Sequence, residues 1–122
     1  MTFDWSSGEL AEGLLCYRRE DFFEAHEHWE IIWLQCQEPE KTFLQGLIQV
    51  TAALHHLQRN NTLGATSLLK AALRRLESYP ARYAGIEAEV FREEVHLWIH
   101  SLSHFDLKPE IPFPSIQLNR AP

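Results

Sequence analysis

The segment Phe22-Phe23-Glu24-Ala25-His26-Glu27-His28-Trp29-Glu30-Ile31-Ile32-Trp33 gathers imidazoles, carboxylates and aromatic rings into one short stretch. On an α-helix each residue advances about 100°. On that projection Phe22, Trp29 and Trp33 centre an apolar face, and His26 falls among them. Glu30 lies one turn beyond His26, just off the centre. Glu27 sits at the border, and Glu24, His28 and Gln35 point to solvent. An ionisable group buried without a partner costs several kcal/mol. The spacing therefore predicts a His26–Glu30 contact at i, i+4. A carboxylate on one ring nitrogen leaves the other free to bind a metal, move a proton or donate a hydrogen bond.

A following helix supplies partners. Gln45, Gln49 and His56 share a polar stripe opposite its Leu-rich face, with Gly46 alongside to allow close approach and His55 nearer the border. That stripe is expected to face His26 and Glu30 across a buried polar seam. Three kinds of chemistry stay open for it. It is a satisfied hydrogen-bond network that specifies packing. It is a metal site with His26 and Glu30 as ligands of a divalent transition ion. Or it is an acid/base site with His26, Glu27 and Glu30 as the catalytic candidates. Trp29, Trp33, Gln45, Gln49 and His56 are the candidate binding residues. Carboxylate-bridged bundles draw Glu-x-x-His pairs from two helices, and here only Glu93-x-x-His96 fits. A second candidate metal row is His96, His100 and His104, at i, i+4 and i+8. Two imidazoles so spaced can chelate a transition metal; the alternative is an exposed polar row. No nucleophile elbow, phosphate-binding Gly-rich loop or paired CxxC is present.

The elements that must position these groups are helical. Ser6 or Ser7 caps a first helix that runs to about Arg19 and buries Leu10, Leu14 and Tyr17. Asp21, with Glu24 as capping-box partner, opens a second helix that continues to about Gln37. Pro39 suits the first position of a third, which reaches about Arg59 with Phe43, Leu47, Val50, Leu54 and Leu57 on one stripe. Asn60, Asn61 and Thr62 break the pattern before a fourth helix over 63–78. Pro80 and Gly85 punctuate the next loop. A fifth helix over 86–103 repeats Phe91, Val95, Trp98, Leu102 and Phe105. From 106 onward Pro109, Pro112, Pro114 and Pro122 forbid a continuous helix. Ile111, Phe113 and Ile116 suggest an extended tail lying on the bundle, with partial disorder as the alternative. Ala25/Trp29 and Ala65/Leu69 form an internal echo at an offset unlike the tetratricopeptide period.

The expected fold is all-α: a single-domain antiparallel bundle of about five helices over 1–105 with an extended Pro-rich tail over 106–122. The chain has 122 residues, 45% hydrophobic and 23% charged, which suits one globular domain. A formal net charge of −6 argues against nucleic-acid binding. No apolar run is long enough to span a bilayer, and the first ten residues lack the basic cluster of a signal peptide. Cys16 and Cys36 are expected to be reduced, in a cytoplasmic protein. Ile31, Ile48 and Ala52 are expected on the outer surface, where they would make a homodimer plausible.

The motif from Phe22 to Glu30, followed by Trp33, resembles the signature of the DUF309 family. Phe43-Leu44-Gln45-Gly46-Leu47-Ile48-Gln49 and the turn Asn60/Gly64-Ala65 resemble the rest of that pattern, over about residues 8 to 78. The resemblance implies a small all-α bundle and marks His26, Glu27, Glu30, Trp33, Gln45, Gly46 and Gln49. It implies no activity. The family's pattern omits His28 and the row of His96, His100 and His104. The leading expectation is a binding or assembly module built on the His/Glu/Gln seam. The alternative is a metal-binding or acid/base enzyme at His26 and Glu30, with its small-molecule ligand open.

Overall fold

The computed structural model describes residues 2–104 and 110–119. Among the described residues the fold is all-α apart from one two-stranded hairpin. In order it forms α1 (Gly8–Arg18), α2 (Phe22–Trp33), α3 (Glu40–Gln58), α4 (Thr62–Leu76), β1 (Arg82–Tyr83), β2 (Ile86–Glu87) and α5 (Ala88–His104). Each helix packs on its neighbour in sequence. The core is continuous and runs from Leu10 and Trp29 through Leu44, Leu54 and Leu69 to Phe91 and Trp98. No described helix is long and apolar enough to cross a membrane.

Two helical hairpins, α1–α2 and α3–α4, turn the chain in the same way. In the first, Glu20 takes the left-handed conformation (φ 64°), its amide bonds to Tyr17 O at 3.0 Å, and Asp21 N bonds to Cys16 O at 2.8 Å. In the second, Asn60 is left-handed (φ 62°), its amide bonds to Leu57 O at 3.0 Å, and Asn61 N bonds to His56 O at 2.8 Å. Both are Schellman terminations, which satisfy the last carbonyls of the preceding helix. The close approach of α1 to α2 depends on Gly13, whose absent Cβ leaves room for the Trp29 indole. Gly46 plays that part between α3 and α4: a Cβ there would lie 2.7 Å from Leu76. It therefore brings α3 close to α4, not to α2 as the sequence suggested.

Several boundaries differ from expectation for local reasons. The Ser6 and Ser7 hydroxyls donate to the Asp4 carboxylate instead of capping α1. Asp21 precedes α2 without a side-chain cap, so no capping box forms with Glu24. α2 stops at Trp33, because Gln35 and Cys36 donate to carbonyls three residues back (2.9 and 3.1 Å), tightening the chain into a 3₁₀ turn. Pro39 sits just before α3, and the Glu38 carboxylate accepts from Thr42 N (2.9 Å) and Thr42 Oγ1 (2.7 Å). α5 begins at Ala88, because Ile86 and Glu87 pair with Tyr83 and Arg82. Ala84 and Gly85 both have positive φ (54° and 83°), as a two-residue hairpin loop of type I′ requires.

Residues 110–119 run extended across the bundle and bond through their carbonyls. Trp98 Nε1 donates to Pro112 O (2.7 Å), Tyr17 Oη to Pro114 O (2.5 Å) and Arg18 Nη2 to Ile116 O (3.0 Å). The Phe113 ring stacks on Trp98 and meets Phe22 edge-on. Leu118 forms a bridge to Ile86. Phe105, the expected end of the α5 core stripe, the start of the tail at 106, Pro109 and Pro122 lie outside the described residues.

Candidate functional site

α2 packs against both α1 and α3, so its buried face is wider than one stripe. Phe22, Ala25 and Trp29 are almost fully buried, with Ile32 packed beside them. This centres the core toward Ala25, not toward Trp33, and moves His26 to the border. The His26 side chain is 30% exposed, Glu30 49% and Glu27 58%. The buried polar seam expected from the sequence is therefore not formed. Gln49 is turned to α4, where its Oε1 accepts from Arg75 Nε at 3.0 Å. Gln45 is half-buried on α3 and lies outside the cleft described below.

The expected His26–Glu30 contact is present. His26 Nδ1 lies 3.5 Å from Glu30 Oε2 and 3.6 Å from Glu27 Oε1. One ligand atom from each of the three residues falls within 4.8 Å of the others. These separations exceed the usual 2.7–3.2 Å of a direct N–H···O bond. A cation with bonds of about 2.0–2.2 Å holds adjacent ligand atoms roughly 3–3.5 Å apart. The two separations from His26 are near that, while the 4.8 Å span of the whole set would require a carboxylate to swing inward.

His26 also lines a cleft of about 180 Å³, together with Phe22, Phe23, Ala52, His55 and His56. The walls are mainly apolar, and neither Glu27 nor Glu30 contributes to them. Phe23 is half exposed and its ring lies 5.7 Å from that of His55. Sequence reasoning placed His56 among the binding residues, but gave no site role to Phe23 and read Ala52 as outer surface. A cleft between two helices has no periodic signature, so those residues could be found only by packing α2 on α3.

The remaining candidates divide. Trp29 is core: its indole stacks on Tyr17 and its Nε1 donates to Leu10 O at 3.2 Å. Trp33 is half-buried beneath the Lys41 ammonium, 4.4 Å from the ring centroid. His28, expected in solvent, has its Nδ1 2.5 Å from Glu9 Oε2 and ties α2 to α1. Ile48 is buried, not on the outer surface, whereas Ile31 is exposed. His96, His100 and His104 are all exposed on α5, and His104 Nδ1 turns back to His100 O at 2.8 Å. Among the described residues only His26, Glu27 and Glu30 bring three metal-ligating groups together. Burial pushes the Cys16 and Cys36 thiols up, which disfavours the reactive thiolate at either position.

A family model described as "Domain of unknown function (DUF309)" matches residues 10–68. This segment is a DUF309 domain. His26, Glu27, Glu30 and the residues lining the cleft all fall inside the DUF309 domain, and the α5 histidines fall outside it. An uncharacterized protein of Aquifex aeolicus (strain VF5) is 32% identical over 90 residues, covering 70% of this chain and 27% of that protein. The uncharacterized protein YpuF of Bacillus subtilis (strain 168) is 37% identical over 59 residues, 48% of this chain and 34% of its own length. The chain thus spans about a third or less of these relatives, which carry the DUF309-like portion within longer proteins.

Proposed function

We propose that the protein binds a small molecule beside a divalent transition metal ion held by His26, Glu27 and Glu30. The observation that carries this reading is the shared position of His26. Its Nδ1 faces two carboxylates, and the same side chain borders an apolar cleft. A dry, satisfied network would have had no such access. Three protein ligands leave coordination positions open, the pattern of a site that takes a further ligand rather than a closed structural one. An ion there would supply Lewis acidity to a bound group.

The test is metal content by inductively coupled plasma mass spectrometry. The protein is untagged, dialysed against zinc or manganese and then desalted. About one ion per chain is expected in the wild type and in His96→Ala/His100→Ala, and none in His26→Ala/Glu30→Ala. Because the three side chains are solvent-accessible, His26→Ala should stay within about 1 kcal/mol of wild-type stability. Retention of the ion in His26→Ala/Glu30→Ala overturns the proposal, as does a metal-free wild type.

Three further features belong to the same reading. Cys16 and Cys36 are not joined in a disulfide, which fits a reducing compartment such as the cytoplasm. Phe23 and Ile31 on α2 and Leu34 just beyond its end are exposed, which supports self-association through that helix. The net charge of −6 speaks against a nucleic-acid partner.

A further inference from the structure

One wall of the cleft has its chemistry set from outside. His56 lines the cleft, and its Nδ1 lies 3.1 Å from Asn61 Nδ2. The Asn61 amide is fixed in orientation, because Gly64 N donates to its Oδ1 at 3.0 Å. Asn61 therefore presents its NH₂ to His56, and Nδ1 must accept. A neutral imidazole carries one donor and one acceptor, so the His56 proton resides on Nε2. Gly64 is part of the arrangement. A Cβ at that position would stand 2.6 Å from Asn61 Nδ2 and displace the amide.

The rest of the lining is Phe22, Phe23 and Ala52, with the His55 ring against Phe23 and the His26 ring completing the wall. The volume of about 180 Å³ is near that of an engineered cavity of roughly 150 Å³ that accepts benzene. Among the described residues no carboxylate lines the cleft; Glu27 and Glu30 lie against His26, one of its walls.

We infer that the cleft takes a small carboxylate with a ring-sized apolar body, and that Asn61 is the positioning residue that keeps His56 in its Nε2–H form to donate to that carboxylate. A hydrogen bond to a charged acceptor is about twice as strong as a neutral one, which selects an acid over an alcohol of the same shape. The inference rests on the cleft being a binding site, but not on the metal.

The experiment pairs two readouts on the full chain treated with chelator. Long-range ¹H–¹⁵N NMR of labelled histidine reports the tautomer. Calorimetric titration compares benzoate with benzyl alcohol. In the wild type His56 is expected as the Nε2–H tautomer, with benzoate favoured about tenfold or more. Asn61→Asp keeps an oxygen for Gly64 N–H but offers Nδ1 an acceptor. The His56 proton should move to Nδ1 and the preference for benzoate should vanish. Asn61→Ala, which adds no charge, should weaken the same preference with a mixed tautomer. A wild-type Nδ1–H tautomer, or equal binding of the two probes, overturns the donor assignment while leaving the cleft as a binding site. Binding of neither probe overturns the cleft reading and this inference with it.

Discussion

The α1–α2 and α3–α4 hairpins place their left-handed turn residues, Glu20 and Asn60, at matching points of the chain, so their other residues can be compared one for one. Tyr17 matches Leu57, Ala25 matches Ala65, and Trp29 matches Leu69; all six are buried. Gly13 matches Ala53. The glycine leaves room for the Trp29 indole, whereas the second hairpin has an alanine at that position and the smaller Leu69 in place of the tryptophan. From the first hairpin to the second, one of these positions gains volume and the other loses it, the compensation that close packing favours. The outer faces differ in kind. His26, Glu27 and Glu30 correspond to Thr66, Ser67 and Lys70, with the same graded exposure but no ligating set. At the turns, Asp21 makes no side-chain cap, whereas Asn61 caps Gly64 and holds His56. Positions alike in the two hairpins are those that packing requires. Positions that part company are those where packing leaves chemistry free to vary, and they are the ones that build the site.

The largest effect is expected from emptying the matched core positions. Trp29→Ala should cost about 4 kcal/mol and Leu69→Ala about 3 kcal/mol in urea unfolding. A cost for Trp29→Ala below that for Leu69→Ala would break the volume argument. Gly13→Ala should cost about 1–3 kcal/mol by overpacking against the indole. Adding Trp29→Leu, which gives the first hairpin the second's combination, should return part of that loss.

Tyr17 gives the comparison a pH dependence. Burial, with Glu94 adding to it, pushes its hydroxyl far above the ordinary tyrosine range. The folded state thus keeps a proton that the unfolded chain releases above about pH 10. The stabilisation is complete below that pH and is lost as pH rises beyond it. Tyr17→Phe should cost about 1 kcal/mol at pH 8 through the lost bond to Pro114 O. It should also flatten the decline between about pH 10 and 11; an unchanged slope would assign the alkaline loss to other groups.

The smallest effect is at the turns. A left-handed backbone strains Glu20 more than Asn60, because Asn tolerates that region. Glu20→Asn should raise stability by about 0.5 kcal/mol, while Asn60→Glu should lower it by a similar amount. Equal and null results would mean that the two turns are not under the same constraint.

The helices and the His26–Glu30 contact were legible in the sequence because they depend on local period and i, i+4 reach. The centring of α2 was not. It depends on Ala25 and Trp29 fitting against α1 at Gly13, a contact between helices that no single-helix projection contains. Gln49 illustrates the same limit: its spacing placed it on a polar stripe, but Arg75 of α4 decided which way that stripe faces. The β1–β2 hairpin escaped because two-residue strands are too short to show alternation. The Asn61–His56 pairing escaped because it spans a turn whose backbone had first to be known.

The segment 110–119 has a consequence for how the molecule opens. A line of stacked hairpins frays from its ends, since each unit touches only its neighbours. Here Tyr17 and Arg18 hold carbonyls 97 and 98 residues away in the chain, which joins the first hairpin to the last described segment. Closing a loop of that length costs about 4 kcal/mol of chain entropy. The clasp can therefore form only on helices already assembled. Together with the Trp5 Nε1 bond to Ala84 O (2.7 Å), the closed clasp turns a linear stack into a ring, so that the ends are held while these bonds last.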